Sequence, residues 1–180
     1  MQKAAIIYGS SVGNTRFVAE KVHAVFPDAD LIAAETADIE KLKDYHFLIM
    51  GTSTWGVGQI QDDFETFVEK FLTLDLSDKT IALFGLGDQQ TYPDTFCDGM
   101  GKLYELLEGK KPRFIGQWPA DDYDFSESKA FKNGMFVGLP LDEDNEPDLT
   151  DGRIAIWSED LKEALEKQYQ TEASKKSDNH

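Results

Sequence analysis

Short apolar runs rich in β-branched residues alternate along this chain with longer stretches of helical periodicity, the pattern of parallel strands joined by crossover helices. Strands are expected over residues 3–8, 30–34, 47–51, 80–85 and 113–117. Between them, Val18, Val22, Val25 and Phe26 mark one face of a first helix, and Phe64, Phe67, Val68 and Phe71 that of a second. Met100, Leu103, Tyr104 and Leu107 do so for a third. A last helix is expected from about 151 to 168, with Ile154, Trp157, Leu161 and Leu165 on its buried stripe, and the crossover at 39–45 has room only for a brief helix. Five strands with helices on both faces define an α/β, doubly wound parallel sheet, for which the order 2-1-3-4-5 is simplest.

The fifth strand breaks the regularity. After Gln117 a polar, acidic, aromatic-bearing stretch, 118–133, precedes a second β-like run, 135–141. An insertion that splits the last strand in two is the expectation, and it leaves open whether the segment binds partners or covers the sheet edge. Residues 1–170 are expected to form a single domain, and the polar, aperiodic tail 171–180 to be frayed or disordered.

Composition narrows the function classes. The chain has 180 residues, 41% of them hydrophobic, which suits one domain with a full core. No apolar run of eighteen residues occurs, and Met1-Gln2-Lys3 leads straight into a strand, so a soluble, cytoplasmic protein is expected. A single cysteine, Cys97, excludes an internal disulfide and a thiolate zinc site, and His23, His46 and His180 lack metal-ligand spacing. Eighteen basic against thirty-four acidic side chains give a net charge of −16, which repels nucleic acid and anionic membrane and favours basic partners.

Ligands in doubly wound sheets bind beyond the carboxyl ends of the strands, where strand order reverses. Three loops meet there: 9–15, 52–59 and 87–99. In the first, Gly9-Ser10-Ser11-Val12-Gly13-Asn14-Thr15 joins a strand to a helix start, whose free N–H groups and macrodipole favour an anion. Asn14 stands where a triphosphate-binding loop would carry lysine, and no G-x-G-x-x-G follows the strand, so a single phosphate monoester suits it better; a plain glycine-containing turn is the other reading. The second loop exposes Trp55 and the third Tyr92, two aromatics able to sandwich a flat ring.

Over residues 3 to about 165 the chain resembles the long-chain flavodoxins. The resemblance rests on residues 9–15, on Thr54-Trp-Gly-Val-Gly58, on Ala82-Leu-Phe-Gly-Leu-Gly-Asp-Gln89 with Tyr92-Pro93, and on Gly116-Gln-Trp-Pro with the run 136–145. It implies a flavodoxin-like fold and a low-potential carrier of single electrons with non-covalently bound FMN, rather than an enzyme. By that resemblance Ser10, Ser11, Val12, Gly13, Asn14 and Thr15 bind the flavin phosphate. Thr52, Ser53, Thr54, Trp55, Gly56, Val57 and Gly58 hold the ring from one side, and Gly87, Asp88, Tyr92, Phe96 and Cys97 from the other. Trp55 and Tyr92 flank the isoalloxazine, Asp88 and Cys97 offer backbone N–H groups to its pyrimidine edge, and the Gly56-Val57 peptide faces N5. Val12 departs from the usual threonine, at a cost of about 1 kcal/mol in flavin affinity, and Ser53 replaces a common proline.

The implied partners are transient, basic redox proteins, such as a flavodoxin reductase and an acceptor oxidoreductase. The acidic face carrying Asp62, Asp63, Glu65 and Glu69 would steer them, with the carrier itself a monomer. An FMN-dependent NAD(P)H quinone or nitro reductase on the same fold is the alternative, weakened because Trp55 and Tyr92 would occupy both ring faces. A flavin-free signalling domain is a third, weakened because Tyr8-Gly9-Ser10 stands where paired acids would be needed.

Overall fold

The computed structural model describes residues 2–9, 13–55 and 58–179, so the roles expected of Ser10, Ser11, Val12, Gly56 and Val57 lie outside the described residues. Nine strands occur among the described residues: β1 (Ala4–Tyr8), β2 (Asp30–Ala33), β3 (Phe47–Trp55), β4 (Gln59–Ile60), β5 (Thr80–Leu86), β6 (Arg113–Ile115), β7 (Phe131–Lys132), β8 (Met135–Phe136) and β9 (Leu139–Leu141). The helices are α1 (Asn14–Val25), α2 (Ile39–Leu42), α3 (Asp62–Phe71), α4 (Asp98–Glu108) and α5 (Thr150–Ser177). The main sheet runs β2-β1-β3-β5-β6, each neighbour parallel, which is the expected order.

Helices on both faces bury the middles of the central strands. Ile6, Ile7, Leu48, Met50, Ile81 and Leu83 are all at 0% exposure, which is why these strands read as continuous apolar runs rather than alternating ones. All four residues of the α3 stripe, Phe64, Phe67, Val68 and Phe71, are buried, as are Val18 and Val22 of α1 and Ile154, Trp157 and Leu161 of α5. Lys79 is buried too. Its ammonium donates to the carbonyls of Leu42, Lys43 and Tyr45 at 3.2, 3.2 and 2.6 Å, closing the end of α2. Burial pulls its pKa below the ordinary lysine value, against the opposing pull of Asp78, Asp44 and Asp75.

Three expectations need correction. Strand β3 runs on to Trp55, because Thr52 and Ser53 still pair with Gly85 and Leu86 of β5, and Thr54 and Trp55 then pair antiparallel with Ile60 and Gln59. Most of what reads as a loop is therefore strand and hairpin.

The last strand is split as expected, with β6 beside Thr80, Ile81 and Ala82 and β9 beside Phe84, Gly85 and Leu86. Within the run 135–141, however, Met135 and Phe136 belong to a separate hairpin with β7, and only 139–141 rejoin the sheet. The third correction concerns α5, which continues to Ser177 across the tail expected to fray. Glu163–Lys167 and Gln168–Glu172 contacts at i,i+4 support it, and Lys175 and Lys176 in its last turn complement the helix dipole. Among the described residues no helix is long and apolar enough to cross a membrane.

The insertion is packed against the body. Phe96, Tyr123, Phe125, Phe131 and Phe136 form one aromatic cluster with ring centroids 5.1 to 6.0 Å apart. Gly101 of α4 permits the approach, since a methyl group there would lie 2.4 Å from the Lys129 carbonyl carbon.

Gly138 does the same for β9: a methyl would lie 2.2 Å from the Leu83 carbonyl oxygen, and that backbone is fixed in the sheet. Gly138→Ala is therefore expected to destabilise the protein by about 2 kcal/mol. A lowered urea midpoint would show it, and an unchanged midpoint would contradict the close β5–β9 approach.

Candidate functional site

Strands β1, β3 and β5 end on the same edge of the sheet, on either side of the point where strand order reverses. A cleft of about 200 Å³ opens there. Asn14 and Thr15 at the start of α1 line it, with Ser53, Thr54 and Trp55 from the end of β3. Leu86, Gly87, Asp88 and Tyr92 contribute from β5 and the segment after it, and Glu143 and Asp144 from the segment after β9. Trp55 is 39% and Tyr92 55% exposed, so two large rings face solvent on one cleft instead of joining the core.

Each wall is held by specific bonds. The Trp55 indole N–H donates to Ser53 Oγ at 2.7 Å, which fixes the ring against its own strand. The Thr54 hydroxyl accepts the Gly99 N–H at 3.0 Å and ties the strand end to the start of α4. Gly58, at φ +76, lies so close to Asp98 that a methyl would sit 2.7 Å from Oδ2. Gly13, at φ +90, leads into α1 in a conformation that side chains resist.

The tyrosine segment is shaped by two carboxylates. Asp88 Oδ1 accepts the N–H groups of Gln90 and Thr91, at 3.1 and 2.8 Å, and the Asn145 amide at 2.8 Å, while the Tyr92 N–H donates to the Asp88 carbonyl at 2.9 Å. Burial pushes the Asp88 pKa up, but the hydrogen bonds from Thr91, Asn145 and Gln90 outweigh it and hold the carboxyl below its usual range.

Asp142 is fully buried. It accepts the Gln89 N–H at 3.1 Å, the Asn145 N–H at 3.1 Å and the Asn145 side-chain amide at both oxygens. Asn145 thus bridges the two carboxylates. Gln89 in turn accepts the Asp124 N–H at 2.7 Å and joins the insertion to the same network. Asp144, facing the cleft, has its pKa raised by burial first and then by repulsion from Asp88 and Asp142.

The structure therefore brings Asn14, Thr15, Ser53, Thr54, Trp55, Gly87, Asp88 and Tyr92 together on one cleft. Thr52, Gly58, Phe96 and Cys97 do not line it. Thr52 is fully buried and Phe96 sits in the aromatic cluster. The Cys97 thiol is buried 3.6 Å from the Gly85 carbonyl oxygen, and burial, then Asp142, pushes its pKa well up, so it is no nucleophile. Sequence reasoning missed Leu86, Glu143, Asp144 and the Asp142–Asn145 lock. Their signal was the acidic run directly after the apolar residues 139–141, which reads as a solvated face.

A helix start and two exposed rings share one cleft at the reversal of a doubly wound α/β sheet, an arrangement shaped for a flat ring that carries an anion. Comparison gives the family. The flavodoxin family model matches residues 6–157. A flavodoxin of Picosynechococcus sp. is 44% identical over 168 residues, covering 92% of this chain and 99% of its own. One from Synechocystis sp. is 41% identical over 169 residues, with the same coverage. Among solved structures, Fusobacterium nucleatum flavodoxin bound to flavin mononucleotide aligns with a TM-score of 0.86 at 27% identity, covering 91% of this chain and 99% of that one. The chain belongs to the flavodoxin family.

Proposed function

We propose that this flavodoxin holds FMN non-covalently in the cleft between Trp55 and Tyr92 and works as a carrier of single electrons, without turnover of a substrate of its own. The observation that carries this reading is the placement of both half-exposed rings on the cleft that also reaches Asn14 and Thr15 at the start of α1. The donor set fits the group. Flat apolar walls suit an isoalloxazine, and a helix start with free N–H groups suits its phosphate. FMN, when bound, supplies the redox chemistry.

The protein's part is binding, orientation and field. Ser10, Ser11, Val12, Gly13, Asn14 and Thr15 take the phosphate, the first three from the segment outside the described residues. Trp55 and Tyr92 cover the ring faces and leave a nicotinamide no stacking position, which disfavours the reductase alternative. Asp88, Glu143 and Asp144 line the cleft with acidic groups, with Asp142 buried next to them in the chain, and oppose further negative charge there. That is the electrostatics of a low-potential carrier. An absorption spectrum tests this reading: flavin bands at one FMN per chain, with no steady NAD(P)H oxidation by the protein alone, support it. A colourless protein that FMN cannot reconstitute, or steady turnover, would contradict it.

The partners proposed are basic redox proteins met transiently by a cytoplasmic monomer. The first turn of α3 carries Asp62, Asp63 and Glu65, and the whole chain carries −16. Screening lengths fall from about 30 Å at 0.01 M salt to about 3 Å at 1 M. Electron transfer with a basic partner should therefore slow at least tenfold over that range. A salt-independent rate would remove the steering role.

A further inference from the structure

Gln61 occupies the N-cap position of α3, where Ser, Thr, Asp or Asn would accept a first-turn N–H. Gln61 makes no such bond. Its side chain turns inward instead: the residue is 4% exposed, and both Nε2 and Oε1 are buried without a hydrogen-bond partner among the described residues. A buried amide in that state is costly, and an apolar side chain of the same volume would avoid the cost. Two local rules are thus broken at one residue, which is the mark of a site serving something other than the fold of the free chain.

Its position says what. A methyl group on Gly9 would lie 2.9 Å from Gln61 Oε1 and 2.7 Å from Phe64 Cβ, so the carboxamide rests against the last residue of the sheet edge before Ser10. Gly9 is itself fixed there, its N–H donating to the Gly51 carbonyl at 3.3 Å. The unpartnered amide therefore lies beside Gly9, the residue from which β1 leads toward Asn14 and Thr15 at the start of α1.

We propose that Gln61 is a positioning residue for the phosphate end of the flavin site, its carboxamide meeting hydrogen-bond partners there when the ester phosphate is bound and lacking them otherwise. The inference rests on the FMN reading above. It links the cofactor to the start of α3, whose acidic first turn follows Gln61 directly.

The test is Gln61→Leu, with Gln61→Met as a second volume-matched variant, read by titration of the flavin-free full-length chain with FMN, riboflavin and inorganic phosphate. FMN affinity is expected to fall about tenfold while riboflavin, which lacks the ester, changes less than twofold. Protection of the flavin-free chain against urea by phosphate should fall in parallel. Without ligand both variants should be at least as stable as the parent, because the unmet amide is gone. Equal weakening of FMN and riboflavin, no weakening of either, or loss of stability in the flavin-free variants would overturn the proposal. Failure of the parent chain to bind either flavin would instead overturn the FMN reading itself.

Discussion

Asp142→Ala is expected to lower the unfolding free energy by about 2 to 4 kcal/mol, as the substitution strands the buried Gln89 N–H and the half-buried Asn145 N–H at roughly 1 to 3 kcal/mol each. The carboxylate is fully buried and holds the Gln89 N–H, the Asn145 N–H and the Asn145 side-chain amide. Alanine removes the acceptor of both backbone N–H groups at once and leaves the Asn145 amide only Asp88. Asn145 also bonds Asp88, so the disturbance reaches the segment that carries Tyr92. Folded domains hold only about 5 to 15 kcal/mol, so the effect is a large share of the total. Urea unfolding measures it; a loss below about 1 kcal/mol would show that the network contributes little.

The second large effect falls on cofactor affinity and leaves stability nearly untouched. Trp55→Ala and Tyr92→Ala should each weaken FMN binding by about tenfold to a hundredfold, the worth of roughly 1 to 3 kcal/mol per stacked aromatic. Both rings are substantially exposed in the described structure, so their removal opens no core cavity. Riboflavin should lose as much as FMN, the reverse of the pattern expected for Gln61, because the rings contact the flavin head and not the phosphate. Fluorescence titration separates the cases. Affinities within twofold of the parent for both variants would remove the rings from the site.

The contrast between these residues explains what the sequence could disclose. The α3 stripe was legible because 3.6-residue spacing alone places Phe64, Phe67, Val68 and Phe71 on one face, with no knowledge of the partner surface. Strand β3 was read too short because Thr52-Ser53-Thr54 is polar, and its strand character comes from pairing with β5 and β4, which lie far along the chain or across a turn. In the run 135–141, apolar character could not reveal that Met135 and Phe136 pair with Lys132 and Phe131 while 139–141 pair with β5.

Within the site, Trp55 and Tyr92 were readable because each follows an apolar strand run at the edge where strand order reverses, beside the 9–15 segment. Asp142 was not: a buried acid and a solvated one look alike in a sequence, and only the tertiary donors from Gln89 and Asn145 distinguish them. Gln61 is the same case in reverse, an ordinary polar residue whose lack of partners exists only in three dimensions.

A crystal grown with FMN tests the central claim most directly. Electron density for the isoalloxazine between the Trp55 indole and the Tyr92 phenol, with the phosphate at the start of α1 beside Asn14 and Thr15, is the result expected. A flavin bound on another face, or one whose phosphate lies away from that helix start, would contradict it.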